Sequence, residues 1–148
     1  MIAQAGNCVD CSCAHPTLRL NASSMSSTSF LVSLTVYLDS TQPYAFSALL
    51  DSGSSHCFIS PKIIKKFSLP TQPVSPPCHL HMLDGQSSIY ITQKLCIHIT
   101  FTSGDTHPVT FFVAPLDSSC EAVLGLDWLV TYNPLVDWTT CWLTFHAG

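Results

Sequence analysis

From Phe30 onward the chain alternates between apolar and polar positions. Phe30, Val32, Leu34, Val36 and Leu38 take every second place, with Leu31, Ser33, Thr35 and Tyr37 between them, the period-two pattern of a half-buried strand. Gln42-Pro43 turns the chain. Tyr44, Phe46, Ala48 and Leu50 then alternate again and run straight into Asp51-Ser52-Gly53-Ser54-Ser55, a loop of small polar residues at a strand end. Cys57-Phe58-Ile59 predicts a short buried strand. Pro61 to Phe67 predicts a short helix, with Ser60 suited to the N-cap and Pro61 to the first turn. The Pro-rich stretch from Leu69 to Pro77 reads as a connection. Two strands then flank Asp84-Gly85, a pair typical of a tight hairpin turn. In the second arm Ile89, Ile91, Leu95, Ile97, Ile99 and Phe101 hold alternate positions, with Gln93 the only polar interruption. Ser103-Gly104-Asp105 turns the chain back into Val109 to Ala114. An apolar run from Ala122 to Leu126, a short helix around Asp127 to Thr131, and strand-like segments Leu135 to Trp138 and Cys141 to Phe145 complete the pattern. Strands at this spacing, with turn signals between them, predict an all-β sandwich or barrel with one or two short helices.

The first 29 residues differ. Cys8, Cys11, Cys13 and His15 are followed by a polar run from Asn21 to Ser29 that reads as a linker. The expected organisation is therefore a loosely ordered segment over 1–29 and one domain over 30–148. A chain of 148 residues, 47% hydrophobic and 9% charged, is long enough for a single packed domain and too apolar to be disordered. The formal net charge is -4, and Lys62, Lys65, Lys66 and Lys94 are scattered. No basic face for direct nucleic-acid binding is expected. No apolar stretch reaches bilayer length, so no membrane partner is expected. The N-terminus lacks the basic and apolar regions of a secretory peptide, which leads to a cytoplasmic, reducing setting and free thiols. Cys57, Cys96 and Cys141 lie in apolar or strand-like segments where a thiol packs as a small hydrophobe. The Cys8, Cys11, Cys13, His15 group lacks the spacing of a closed zinc site, and no metal or other cofactor is expected. His79 and His81 share one strand face and read as solvent-exposed. Trp128, Trp138 and Trp142 read as core or contact residues.

One place in the chain sets a carboxylate at the end of an apolar strand inside a turn of small residues: Asp51-Ser52-Gly53. Glycine lets a backbone approach closely, and the serine hydroxyl can hydrogen-bond across that approach. Taken alone, the tripeptide is also an ordinary turn.

Its surroundings resemble those of a known family. Ala48-Leu49-Leu50-Asp51-Ser52-Gly53-Ser54-Ser55 followed by Cys57-Phe58-Ile59 resembles the active-site loop of retroviral-type aspartic proteases, the retropepsins. Ser52 stands where many relatives have Thr and keeps the hydroxyl; Ser54 stands where Ala is frequent. Leu83-Asp84-Gly85-Gln86 sits where that family has its flap, and Ala122-Val123-Leu124-Gly125-Leu126 resembles its second signature. Asp127-Trp128-Leu129, Asn133-Pro134 and Val136-Asp137-Trp138 look like the protease region of Ty3/gypsy LTR-retrotransposon Gag-Pol polyproteins.

The resemblance implies a closed acid-protease barrel that forms one half of a symmetric homodimer. It implies Asp51 as the catalytic carboxylate, with Ser52, Gly53 and Ser54 supporting the loop. Leu83, Asp84 and Gly85 would form the flap over substrate, and Leu124 and Gly125 the second signature. The implied activity is aspartic endopeptidase cleavage of a retroelement polyprotein. Two carboxylates must share one proton, and Asp39-Ser40-Thr41, Asp105-Thr106-His107 and Asp117-Ser118-Ser119 all lack the glycine. The partner carboxylate is thus expected from a second copy. The alternative is a catalytically silent relative that binds peptide or dimerises.

Overall fold

The computed structural model describes residues 18–20, 29–38, 42–82, 88–117 and 119–146. Ten strands and two short helices follow in the order β1 (Leu18–Leu20), β2 (Leu31–Tyr37), β3 (Pro43–Leu50), β4 (Cys57–Ile59), α1 (Pro61–Phe67), β5 (Gln72–Met82), β6 (Ser88–Phe101), β7 (Thr106–Val113), β8 (Ala122–Leu124), α2 (Leu126–Tyr132), β9 (Leu135–Asp137) and β10 (Trp142–Thr144). The mostly-β class and the two short helices are as expected. No helix among the described residues is long and apolar enough to cross a membrane.

Six strands close a barrel in the cyclic order β6-β2-β3-β8-β4-β7, and the β6–β7 pairing joins its ends. Closure removes the open sheet edges that would otherwise invite pairing with other chains. The strand β6 is long enough to serve twice: its second half belongs to the barrel, and its first half pairs with β5 in an arm that projects from it.

Side-chain alternation sorts the barrel wall into two apolar faces. Ala48, Leu50, Cys57, Ile59, Phe111, Ala122 and Leu124 point into the main core with Val32, Leu34 and Val36. Their neighbours Leu49, Phe58, Phe112 and Val123 point the other way into a second cluster, as the period of two requires.

Helix α1 begins where the sequence places it. The Ser60 hydroxyl accepts from the Lys62 amide at 3.2 Å, the N-cap bond that satisfies one orphan donor of the first turn. Helix α2 is held by an aromatic cluster. His107 stacks on Tyr132 with ring centroids 4.0 Å apart and meets Phe145 edge-on at 4.5 Å, and Trp128 packs against Phe101. Trp128 is buried as expected of a core residue, whereas Trp138 and Trp142 are exposed.

Burial among these rings holds the His107 imidazole below its usual range, with Asp105 opposing the shift. A histidine kept neutral in the fold but free to protonate when unfolded contributes its full stability above about pH 6.5 and loses it as pH falls toward the folded value. The urea midpoint should therefore be lower at pH 5.5 than at pH 7.5. His107→Phe should shrink that difference, and an unchanged difference would place its origin elsewhere.

Three sequence expectations need correction. Residues 18–20, expected within a loose segment, form a strand that pairs in parallel with β5, because Leu18 and Leu20 find an apolar face to cover. The Pro-rich connection is also partly strand: β5 starts at Gln72, and its register with β6 slips between Pro73 and Cys78. Proline has no N–H to give, so the ladder skips that stretch. Cys78 is disulfide-bonded, whereas Cys57, Cys120 and Cys141 are free thiols. The free-thiol expectation rested on compartment and not on the local geometry of β5. The Cys8, Cys11, Cys13 and His15 group lies outside the described residues.

Candidate active site

Asp51 follows the last residue of β3, where the strand runs parallel to β8. Its amide donates to the Leu124 carbonyl at 3.0 Å, so the second signature fixes where the loop leaves the sheet. The loop then turns on itself. The Ser54 amide donates to the Asp51 carbonyl at 3.2 Å. The Gly53 amide donates to Asp51 Oδ1 at 2.9 Å, and the Ser54 hydroxyl to Oδ2 at 3.3 Å. Each carboxylate oxygen therefore accepts a bond from its own loop, which orients the group.

Burial divides the loop by role. Ser54 is fully buried, Asp51 is half-buried, and Ser52 and Gly53 are exposed at the tip. Of the four expected loop residues, Asp51, Gly53 and Ser54 are thus joined by hydrogen bonds. Ser52 stands outward, where it can meet another surface.

Beneath the loop lies Gly125. A Cβ there would sit 2.1 Å from the His56 carbonyl oxygen and 2.8 Å from that of Ser54, so glycine is required by close approach of two backbones. The contact lets the first turn of α2 use the loop as its cap: the Leu126 amide donates to the Ser54 carbonyl at 2.7 Å and the Asp127 amide to Ser55 at 3.1 Å. Two orphan donors of the helix are satisfied by the Asp51 loop itself. Leu124 thus meets Asp51 through its carbonyl, and Gly125 meets the loop at Ser54 and His56.

The flap residues Leu83, Asp84 and Gly85 lie outside the described residues. The arms that lead to them pair as an antiparallel hairpin, with Leu80 opposite Ile89 and His81 opposite Ser88. On one face of these arms the His79 and His81 rings meet edge-on at 4.4 Å, and His79 stacks on Tyr90.

Sequence reasoning missed the residues just after the loop. The Ser55 hydroxyl lies 2.7 Å from His56 Nδ1, and Asp127 Oδ1 accepts from the Trp128 amide and the Cys57 thiol. Burial pushes His56 below the usual histidine range against the pull of Asp127, and pushes the Asp127 carboxyl up against the pull of His56. The Cys57 thiol is raised well above its ordinary value by burial, which keeps it protonated and unreactive. A histidine in a run of small residues, five positions after the carboxylate, was the available signal. Its partner on α2 is distant in sequence and gave none. No cluster able to hold a metal ion is present among the described residues.

A strand-end carboxylate held by its own loop and locked from below by an apolar-Gly signature has known relatives. Residues 47–148 match the family described as PEG10/RTL1 protease domain. The chain belongs to that family. Among solved structures, the retroviral protease-like domain of Ddi1 from Leishmania major is similar, with a TM-score of 0.57 and 17% identity over 83% of this chain and 92% of that one. At that identity the likeness shows the fold, a retropepsin-like barrel. Both Asp51 and Gly125 fall within the stretch that matches the family.

Proposed function

We propose that the protein is an aspartic endopeptidase in which two Asp51 carboxylates, one from each subunit of a homodimer, activate a water between them. The observation that carries the reading is the Asp51 loop, whose carboxylate is oriented by Gly53 and Ser54 in a protease-domain family. One carboxylate accepts a proton from the attacking water while the other, protonated, donates to the scissile carbonyl. A monomer supplies one such loop, and the exposed Ser52 and Gly53 leave its tip free to meet the same loop of a second copy across a two-fold axis. The substrate would be an extended polypeptide. By the resemblance to Ty3/gypsy Gag-Pol proteases, that polypeptide is a retroelement-type polyprotein. No cofactor enters the mechanism.

Because the site needs two copies, activity should depend on protein concentration. Specific activity should fall on dilution below the dimer dissociation constant and recover on reconcentration, by mass action. Sedimentation at the same concentrations provides the check. Constant specific activity in a sample that sediments as a monomer would overturn the shared site.

A further inference from the structure

The face of the barrel wall that does not point into the core carries Leu49, Phe58, Phe112 and Val123, and the β5–β6 arm adds Leu80 and Ile91. Leu49 and Val123 are one residue from Leu50 and Leu124, the pair that launches the Asp51 loop. An apolar face therefore leads directly to the candidate catalytic carboxylate. In the structure it is covered by β1.

The way β1 covers it is specific. Leu18, Arg19 and Leu20 run parallel to Leu80, His81 and Met82 on one side. On the other side, the Arg19 amide donates to the Ser55 hydroxyl at 2.9 Å and the Ser55 amide donates to the Arg19 carbonyl at 2.9 Å. Both main-chain groups of the central residue are thus held by a residue of the catalytic loop, four positions from Asp51. Leu18 and Leu20 are fully buried in the second cluster, while the Arg19 side chain is exposed. An extended segment bonded through its backbone between a sheet edge and a loop, with alternate side chains in apolar pockets, is how a peptide is bound by strand addition.

We propose that the space between β5 and Ser55 is an extended-peptide groove selecting an apolar-x-apolar sequence, and that β1 occupies it as an internal strap that an external peptide must displace. The substrate part of this inference rests on the protease reading above; the occupancy of the groove by β1 does not. Tethering keeps β1 at an effective concentration of about millimolar relative to its groove. An external ligand therefore binds only the fraction of molecules whose strap is open, and its apparent affinity falls by that fraction.

The test uses a fluorescent peptide with the sequence of residues 16–23 and the full chain carrying Asp51→Asn, so that binding is read without cleavage. Leu18→Asp with Leu20→Asp in that chain should tighten binding of the probe at least about tenfold over the unstrapped fraction available in the parent. A probe carrying Asp at both leucine positions should not bind. A double variant that keeps a cooperative thermal transition and binds the probe no better than the parent would overturn the strap.

A second measurement needs no change to β1. In the parent chain, saturating probe should speed hydrogen exchange at the Arg19 amide. An Arg19 amide that exchanges only with global unfolding, with and without probe, would make β1 a fixed wall strand and overturn the proposal. In the chain with Asp51 intact, the double variant should cleave an unrelated apolar-x-apolar peptide about tenfold faster than the parent. Probe binding without any cleavage would leave the strap standing and remove the protease reading instead.

Discussion

Asp51→Asn should abolish peptide cleavage while leaving the fold and the dimer in place. The expected loss is on the order of 10^4-fold in kcat, the scale seen when one member of a concerted catalytic unit is removed. An amide cannot take the proton that the attacking water must give up, so one substitution per subunit disables the shared site twice.

The same substitution is mild structurally because the loop bonds adapt. Asn keeps an Oδ1 that can accept from the Gly53 amide, at the position where Asp51 accepts at 2.9 Å. Its NH2 can donate to the Ser54 hydroxyl, which now donates to Oδ2 and can rotate to accept. The net change in stability should stay within about 1 kcal/mol. Peptide hydrolysis, thermal melting and sedimentation of the variant provide the comparison. Cleavage at the parent rate, or an Asp84→Asn variant that loses activity as completely, would remove Asp51 from its role. A parent chain that folds, dimerises and never cleaves would favour the silent peptide-binding alternative.

What could be read from the sequence was set by local periodicity. The strand β2 alternates over its seven residues and β6 over its last seven, and each such run fixes its own inward face. The Asp51 loop was visible because its residues are contiguous. Gly125 was visible only through resemblance, since the reason for glycine there is the distant His56 carbonyl. The strand β1 offered two apolar positions around Arg19, too few for a period, and its stability comes from Leu80 and Ser55 partners far along the chain. The strand β5 was obscured by its own prolines. Tertiary partners, not local preference, decide such short or interrupted strands. The pairing of His56 with Asp127 is of the same kind.

Gly125→Ala should damage both the stability and the rate of this protein. The added Cβ would lie 2.1 Å from the His56 oxygen, 2.7 Å from its carbonyl carbon and 2.8 Å from the Ser54 oxygen. All three are backbone atoms, so no side chain can swing aside; the α2 N-terminus must move away from the loop. That movement breaks or lengthens the bonds from the Leu126 and Asp127 amides to Ser54 and Ser55, and two helix donors lose their acceptors. Overpacking with these losses should cost about 3 kcal/mol or more. The displaced segment is continuous with Leu124, whose carbonyl accepts from the Asp51 amide, so the carboxylate shifts with it. Misplacement of about 1 Å in a catalytic group is enough for a hundredfold loss in rate. The variant should therefore unfold at lower urea and, at temperatures where it remains folded, cleave at least about a hundredfold more slowly. Gly104→Ala supplies the control. Its Cβ would meet nothing within 4 Å, although its φ of +95° is a backbone conformation that alanine resists. It should lose stability through strain alone and keep its rate. Equal rates for the two alanine variants would show that the approach of Gly125 to the loop carries no catalytic geometry.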